Sequence, residues 1–181
     1  MVEIGKICNL INGRAFKPED WESKNSTGLP IIRIQNLNNS NSEFNYYSGK
    51  IKEDILIKNG DLLFSWSGSR GTSFGAHIWN GQDAILNQHI FKVVHDESIN
   101  RHYLYHALND AVNEIEQNLH GGVGLVHITK GNLEKIKIPI PKIEDQLKIV
   151  TDITEELVII KSNKKLIEMM EKKIKEVLSE V

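Results

Sequence analysis

Glu171 and Lys173 carry the Glu-x-Lys spacing of a metal-dependent nuclease, in which that pair and an Asp on an adjacent strand hold a metal beside the scissile phosphate. Here the pair falls in a stretch of helical periodicity with no Asp partner on a strand, so that chemistry is dismissed. Methyl transfer to a base amine needs a Gly-rich cofactor loop and an Asn- or Asp-Pro-Pro-aromatic loop that grips a flipped base. The prolines Pro18, Pro30, Pro139 and Pro141 all stand apart, so the second loop is absent. Ser67-Gly68-Ser69-Arg70-Gly71-Thr72 resembles a phosphate cradle but lacks the Gly-Lys-Ser/Thr that opens a helix in a nucleotide-binding loop. It reads as a flexible loop whose hydroxyls and guanidinium could meet a nucleic-acid groove, against the plainer reading of a connecting turn. His102 and His106 are four apart on a helix, a spacing that can bind zinc, but no Glu follows His102 and no third ligand is evident. Helix-surface histidines are the better reading. With no Gly-x-Ser-x-Gly elbow either, the residues predict no catalytic centre, metal or cofactor.

What remains is a scatter of groups suited to base edges and phosphates. Arg14 and Lys17 follow Gly13 in an early loop; Arg33, Gln35, Asn36 and Asn38 lie on or just past a strand; Asn87, Gln88 and His89 interrupt another. Arginine pairs with guanine edges, and Asn or Gln with adenine, through paired hydrogen bonds. Taken singly, such residues are more often solvated surface groups or turn formers.

The elements that must position them change character at Pro139-Ile140-Pro141. Before it, apolar runs separated by Gly, Asn, Asp and Ser clusters read as strands at Leu29–Leu37, Ile51–Ile57, Asp61–Trp66, Ala84–Val94 and Ile136–Ile140. One helix interrupts them: Tyr103, Leu104, Ala107, Leu108, Ala111, Val112, Ile115 and Leu119 keep helical spacing, and Gly121-Gly122 supplies a stop. The expectation is an α+β domain on a mixed or antiparallel sheet. From Ile143 no Gly or Pro occurs, and Glu144 and Asp145 favour a helix N-terminus. Counting 3-4-3-4 gives Val150, Ile153, Leu157, Ile160, Lys164, Ile167, Glu171, Ile174, Leu178 and Val181, a coiled-coil seam broken twice by charge. Such a rod is roughly 55 Å long at 1.5 Å per residue and calls for another helix to cover it.

Composition narrows the partners. The chain carries 22 basic and 24 acidic residues, a formal net charge of −2. Phosphate neutralisation supplies most non-specific DNA affinity, so any DNA reader of this charge must cluster its basic residues or borrow a partner's. The single cysteine, Cys8, rules out an internal disulfide and a thiolate metal site. Met1 to Leu10 lacks the basic-then-apolar pattern of a secretory signal, and the longest apolar run, Leu157 to Ile160, is too short for a bilayer. A cytoplasmic protein with no membrane partner is expected.

The sequence resembles the specificity subunits of type I restriction-modification systems. Ile4-Gly5 through Gly13, leading to Lys17-Pro18, matches the family's opening. Pro30-Ile31-Ile32-Arg33-Ile34-Gln35-Asn36-Leu37 matches its Pro-x-Ile-Arg-x-x-Asn-Leu strand, Gly60 to Ser69 its Gly-Asp-Leu-Leu-Phe-Ser strand and loop, and Asn87 to Ile90 its Asn-Gln-His-Ile. Ile138-Pro139-Ile140-Pro141, followed by Glu144, Gln146, Ile149 and Val150, matches the segment before its long helix. The resemblance spans essentially the whole chain. It departs from full-length members, which carry two recognition domains and two helices, in having one of each. It implies a target-recognition domain over residues 1–142 that reads one half of a split double-stranded DNA target with loops in the major groove. It implies a helix over residues 143–181 that pairs antiparallel with another as a spacer. That helix also docks the modification (methyltransferase) subunit and, through it, the restriction subunit. On this reading Arg14, Lys17, Arg33, Asn36, Ser67, Ser69, Arg70, Asn87 and His89 contact DNA. A homodimer forms through Val150, Ile153, Leu157, Ile160, Ile167, Ile174 and Leu178. The competing expectation is an interaction protein without DNA specificity, a decoy or remnant that binds the modification subunit through its helix.

Overall fold

A strand with no polar alternation lies at the centre of the first part of the chain. In β6 (Leu62–Ser65) all four residues are buried, Leu62 and Phe64 in one apolar cluster and Leu63 in another. Successive side chains of a strand point to opposite faces, so such a run marks a strand covered on both sides. The computed structural model describes residues 1–22, 27–39, 42–69, 74–118 and 125–179. It divides into two compact units, Met1–Ile140 and Pro141–Val181.

In the first unit, β2 (Cys8–Asn12), β10 (Ile90–His95), β6 and β8 (Gly75–Ile78) form an antiparallel sheet in the order β2-β10-β6-β8. A second sheet has the order β4-β3-β9-β5, from β4 (Asn45–Tyr47), β3 (Leu29–Ile32), β9 (Ala84–Leu86) and β5 (Leu56–Ile57). It is mixed, because β3 and β9 run parallel with Ile32 opposite Leu86. Two short pairs complete the strands: β1 (Val2–Glu3) with β12 (Lys137–Ile138), and β7 (Ser67–Ser69) with β11 (Leu125–His127).

Each sheet face has its own core. Leu10, Phe64, Phe91 and Val93 pack with Leu104, Leu108 and Val112 of α3 (Arg101–Asn118). Ile32, Ile57, Leu63, Ile85 and Ile90 form the other cluster, together with Trp79. Each fully buried Leu or Ile contributes roughly 1.5–3 kcal/mol. Asn100 caps α3, its Oδ1 accepting the amides of His102 and Tyr103 at 2.9 and 3.0 Å. The Asn109 side chain clamps α3 to β8: the Ala76 amide donates to Oδ1 at 2.8 Å and Nδ2 donates to the Ala76 carbonyl at 3.2 Å. Gly75 beside it has φ +121°, a conformation that excludes most side chains.

The second unit holds one 37-residue helix, α5 (Ile143–Ser179), roughly 55 Å long at 1.5 Å per residue. Along it Leu157, Ile160, Ile167, Ile174 and Leu178 are exposed, and Val150 and Ile153 are half-buried.

The α+β architecture with a mixed and an antiparallel sheet and a long C-terminal helix is the one expected, but several elements differ. Leu29–Leu37 is not one strand: after Ile32 the chain turns into α2 (Ile34–Asn38), because the Asn36 Oδ1 accepts the Arg33 amide at 3.0 Å and starts a helical turn. Ile51–Ile57 is mostly a 3-10 turn, Glu53–Ile55, before the two residues of β5. Ala84–Val94 is two strands, parted at Asn87-Gln88-His89, and Ile136–Ile140 shortens to β12. Ser67–Ser69, read as loop, is a strand because β11 pairs with it. Leu119, Gly121, Gly122, Arg70 and Val181 lie outside the described residues. Among the described residues no helix is long and apolar enough to cross a membrane, and no group of three His, Cys, Asp or Glu could hold a metal ion.

Candidate nucleic-acid interface

The parallel pair β3 and β9 sets the geometry. Ile32 and Leu86 are partners, so the next residues, Arg33 and Asn87, leave the sheet side by side, with the Asn87 amide donating to the Ile32 carbonyl at 3.1 Å. On the other side of Asn87, Arg14 forms a parallel bridge and donates its amide to the Leu86 carbonyl at 2.9 Å. The approach is close enough that a Cβ on Gly13 would sit 2.1 Å from the Asn87 carbonyl oxygen, so only glycine fits there. Arg33, Asn87 and Arg14 thus form a row along one sheet end.

The two arginines are held differently. The Arg14 Nη1 donates to the Tyr47 hydroxyl at 2.8 Å, and Nη2 lies 3.8 Å from Asp20. Its guanidinium lies over the Phe16 and Tyr47 rings at 5.1 and 4.7 Å. Arg33 lies over Trp21 at 5.5 Å, and its Nε is buried without a hydrogen-bond partner. Among the described residues no carboxylate pairs with it. A guanidinium over an indole, with no partner for its fork among the described residues, is suited to a planar, bidentate acceptor.

The row continues through the Asn87–His89 break. Ile90 pairs with Ser65, so His89 and Trp66 emerge from the same edge of the other sheet. Their backbones touch, the Trp66 amide donating to the His89 carbonyl at 3.3 Å. The Trp66 indole donates to the Gln88 carbonyl at 3.1 Å, and its ring lies 5.2 Å from His89 and edge-on to His127 at 4.8 Å. Gln88 Nε2 lies 3.2 Å from His89 Nε2, while His89 Nδ1 is buried without a partner. Ser67 faces His127 across the β7–β11 pair. The result is a polar rim with arginines at one side and an aromatic-backed Gln-His turn at the other.

Of the residues expected to contact DNA, Arg14, Arg33, Ser67, Asn87 and His89 come together on this rim. Lys17 lies on the arm after Arg14, its amide donating to Asp20 Oδ2 at 2.9 Å and its exposed amine 3.8 Å from Glu19. Ser69 ends β7, and Arg70 lies outside the described residues. Asn36 is set apart: it is 4% exposed, and besides accepting from Arg33 its Nδ2 donates to the Ser42 and Glu43 carbonyls at 3.3 and 3.1 Å. Both ends of its amide hold the α2 turn, leaving it a scaffold residue rather than a reader. Sequence reasoning passed over Trp21, Tyr47, Trp66 and His127. An aromatic beside a basic or polar cluster was the available signal for the first three; His127 carried none, because its strand partner is remote in sequence.

Away from the rim, Cys8 and His106 are among the titratable groups whose pKa is shifted. Burial pushes the Cys8 thiol up to about 12, which marks it as a packing residue rather than a nucleophile. Burial lowers the His106 pKa, with repulsion from His102 adding to it.

The profile of the type I restriction modification DNA specificity domain matches residues 1–177, and the chain belongs to that family. It is 30% identical over 152 residues to the type I restriction enzyme EcoBI specificity subunit of Escherichia coli, covering 83% of this chain and 30% of that one. To the MjaVIII specificity subunit of Methanocaldococcus jannaschii it is 27% identical, covering 82% of this chain and 33% of that one. The chain therefore spans about a third of the length of these relatives. Its fold is similar to the HsdS subunit of Thermoanaerobacter tengcongensis, with a TM-score of 0.62 at 20% identity over 85% of this chain and 36% of that one. It is also similar to a chain from a structure of type I restriction-modification complex assembly, with a TM-score of 0.64 at 21% identity over 89% of this chain and 39% of that one.

Proposed function

We propose that this chain reads one half of a bipartite double-stranded DNA target for a type I restriction-modification complex and has no reaction of its own. The single observation that carries this is the rim: unclaimed Arg33, Asn87, and the Gln88-His89 turn on Trp66, all standing at strand ends in a chain of the specificity family. Strand-end residues can enter a major groove, where an Arg fork suits guanine O6 and N7, and an Asn or Gln amide suits adenine N6 and N7. Residues 1–142 act as the recognition domain. Arg14, Lys17, Ser67, Ser69, Arg70 and His89 complete the contact set, some on bases and others on phosphates. Residues 143–181 pair with the same helix of a second copy along Val150, Ile153, Leu157, Ile160, Ile167, Ile174 and Leu178, the exposed seam supporting this pairing. The helix also docks the modification subunit, which brings the methyl-transfer chemistry and the restriction subunit.

The test is co-expression with the modification subunit of the same system in a methylation-free host, followed by mapping of methylated bases across the genome. The expected result is a split motif with palindromic halves, as a self-paired reader requires. An asymmetric split motif refutes the self-pairing and points to a different second half. No methylation above background, with the two proteins still co-purifying, refutes DNA reading.

A further inference from the structure

Behind the Arg14 end of the rim lies a cleft of about 390 Å³ that the base-reading proposal leaves unused. Its walls include Asn12, Gly13 and Arg14 on one side and Lys50, Lys52 and Asp54 on the other. Three cations face one carboxylate, in a chain whose net charge is −2. Lys50 and Lys52 are exposed, and among the described residues neither side chain has an ion pair or hydrogen bond. Arg14 differs: Tyr47, Asp20 and the two aromatic rings fix it, so it is a rigid positive wall while the lysines are mobile point charges. The cleft shares Arg14 with the rim, through the bridge to Asn87, so a duplex read at the rim brings its backbone past these lysines.

We propose that this cleft holds a phosphate of the DNA backbone, with Lys50 and Lys52 as the contacts and Arg14 as the fixed wall. The proposal rests on the DNA-reading function and gives it the anchoring that the overall charge does not. A phosphodiester suits the site better than a small cofactor does, because the wall is open and its two free cations are long, exposed side chains. Phosphate contacts carry no sequence information; they set register and release counterions, so they appear as salt dependence.

The test is fluorescence anisotropy of the whole chain on a short mixed-sequence duplex, titrated at several NaCl concentrations. Lys50→Ala with Lys52→Ala is compared with Lys135→Ala with Lys137→Ala, which changes the net charge equally. Lys137 pairs with Glu3, near the Cys8 and His95 end of β10 and away from the Ile90 end that meets the rim. Each phosphate contact contributes about 0.9 to the slope of log affinity against log salt. With one phosphate held by both lysines, the Lys50 and Lys52 variant should therefore flatten the slope by about 0.9 while the control pair leaves it unchanged. An unchanged slope in the first variant, or an equal change in both, overturns the cleft assignment and leaves the rim intact. No binding by the unmodified chain at the lowest salt overturns the cleft assignment, while the methylation map with the modification subunit present decides the DNA-reading function separately.

Discussion

Replacing Asn36 with Ala separates a scaffold role from a reading role. The change strands the Arg33 amide and the Ser42 and Glu43 carbonyls, three bonds at 3.0, 3.3 and 3.1 Å around a side chain that is 4% exposed. At about 1 kcal/mol net per bond, the loss is about 3 kcal/mol. For a unit of this size that lowers Tm by on the order of 10 °C. The assay is a thermal melt followed by tryptophan fluorescence. Trp21, Trp66 and Trp79 all lie in the first unit, so the signal reports that unit and not the long helix. Asn36→Asp does not rescue, because it keeps the acceptor for Arg33 but turns an anionic oxygen toward two carbonyls. The reasoning is refuted if Asn36→Ala melts within about 2 °C of the unmodified chain, less than the loss of a single such bond would cause, and instead alters the methylated motif.

Leu157→Asp with Ile160→Asp puts two charges on the exposed seam and should weaken self-association by on the order of a hundredfold or more. Sedimentation velocity across a dilution series checks this, and a dimer that persists would show that pairing runs through another surface. The lowered His106 pKa gives a pH dependence with a definite sign. The folded state resists protonating this imidazole, so its contribution is present above the ordinary value of 6.5 and is lost as pH falls below it toward the lower folded value. His106→Gln should flatten the decline in Tm between neutral and mildly acidic pH. An identical decline would place the acid sensitivity elsewhere.

The parts of the fold legible in the sequence are those decided locally. An uninterrupted helical period without Gly or Pro gave away α5, and the unbroken apolar Leu62-Leu63-Phe64 marked a strand buried on both faces. Asn87-Gln88-His89 was legible as a polar interruption within Ala84–Val94, but not as the end of one strand and the start of another in a different sheet. What stayed hidden depended on distant partners. Ile34 and Leu37 fit either a strand or a turn of helix, and the choice is made by Asn36, whose amide reaches the Ser42 and Glu43 carbonyls. Ser67–Ser69 becomes a strand only because Leu125–His127 lies against it. The site followed the same rule: the polar residues of the rim were identifiable one by one, but their adjacency comes from the parallel register of β3 and β9, which no local pattern encodes.

That register has an evolutionary consequence. Arg33, Asn87 and His89 stand one step beyond the ends of buried strands, next to Ile32, Leu86 and Ile90, which are fully buried in one of the two apolar clusters that hold the fold. Residues in such positions can be exchanged, and the turns carrying them lengthened or shortened, with little cost to the cores beneath. On the proposed DNA-reading function, a lineage of such proteins can therefore change the bases it prefers by small edits at strand tips, each step leaving a stable intermediate. Substitutions that damage folding concentrate at Asn36, Gly13 and the Asn109 clamp instead.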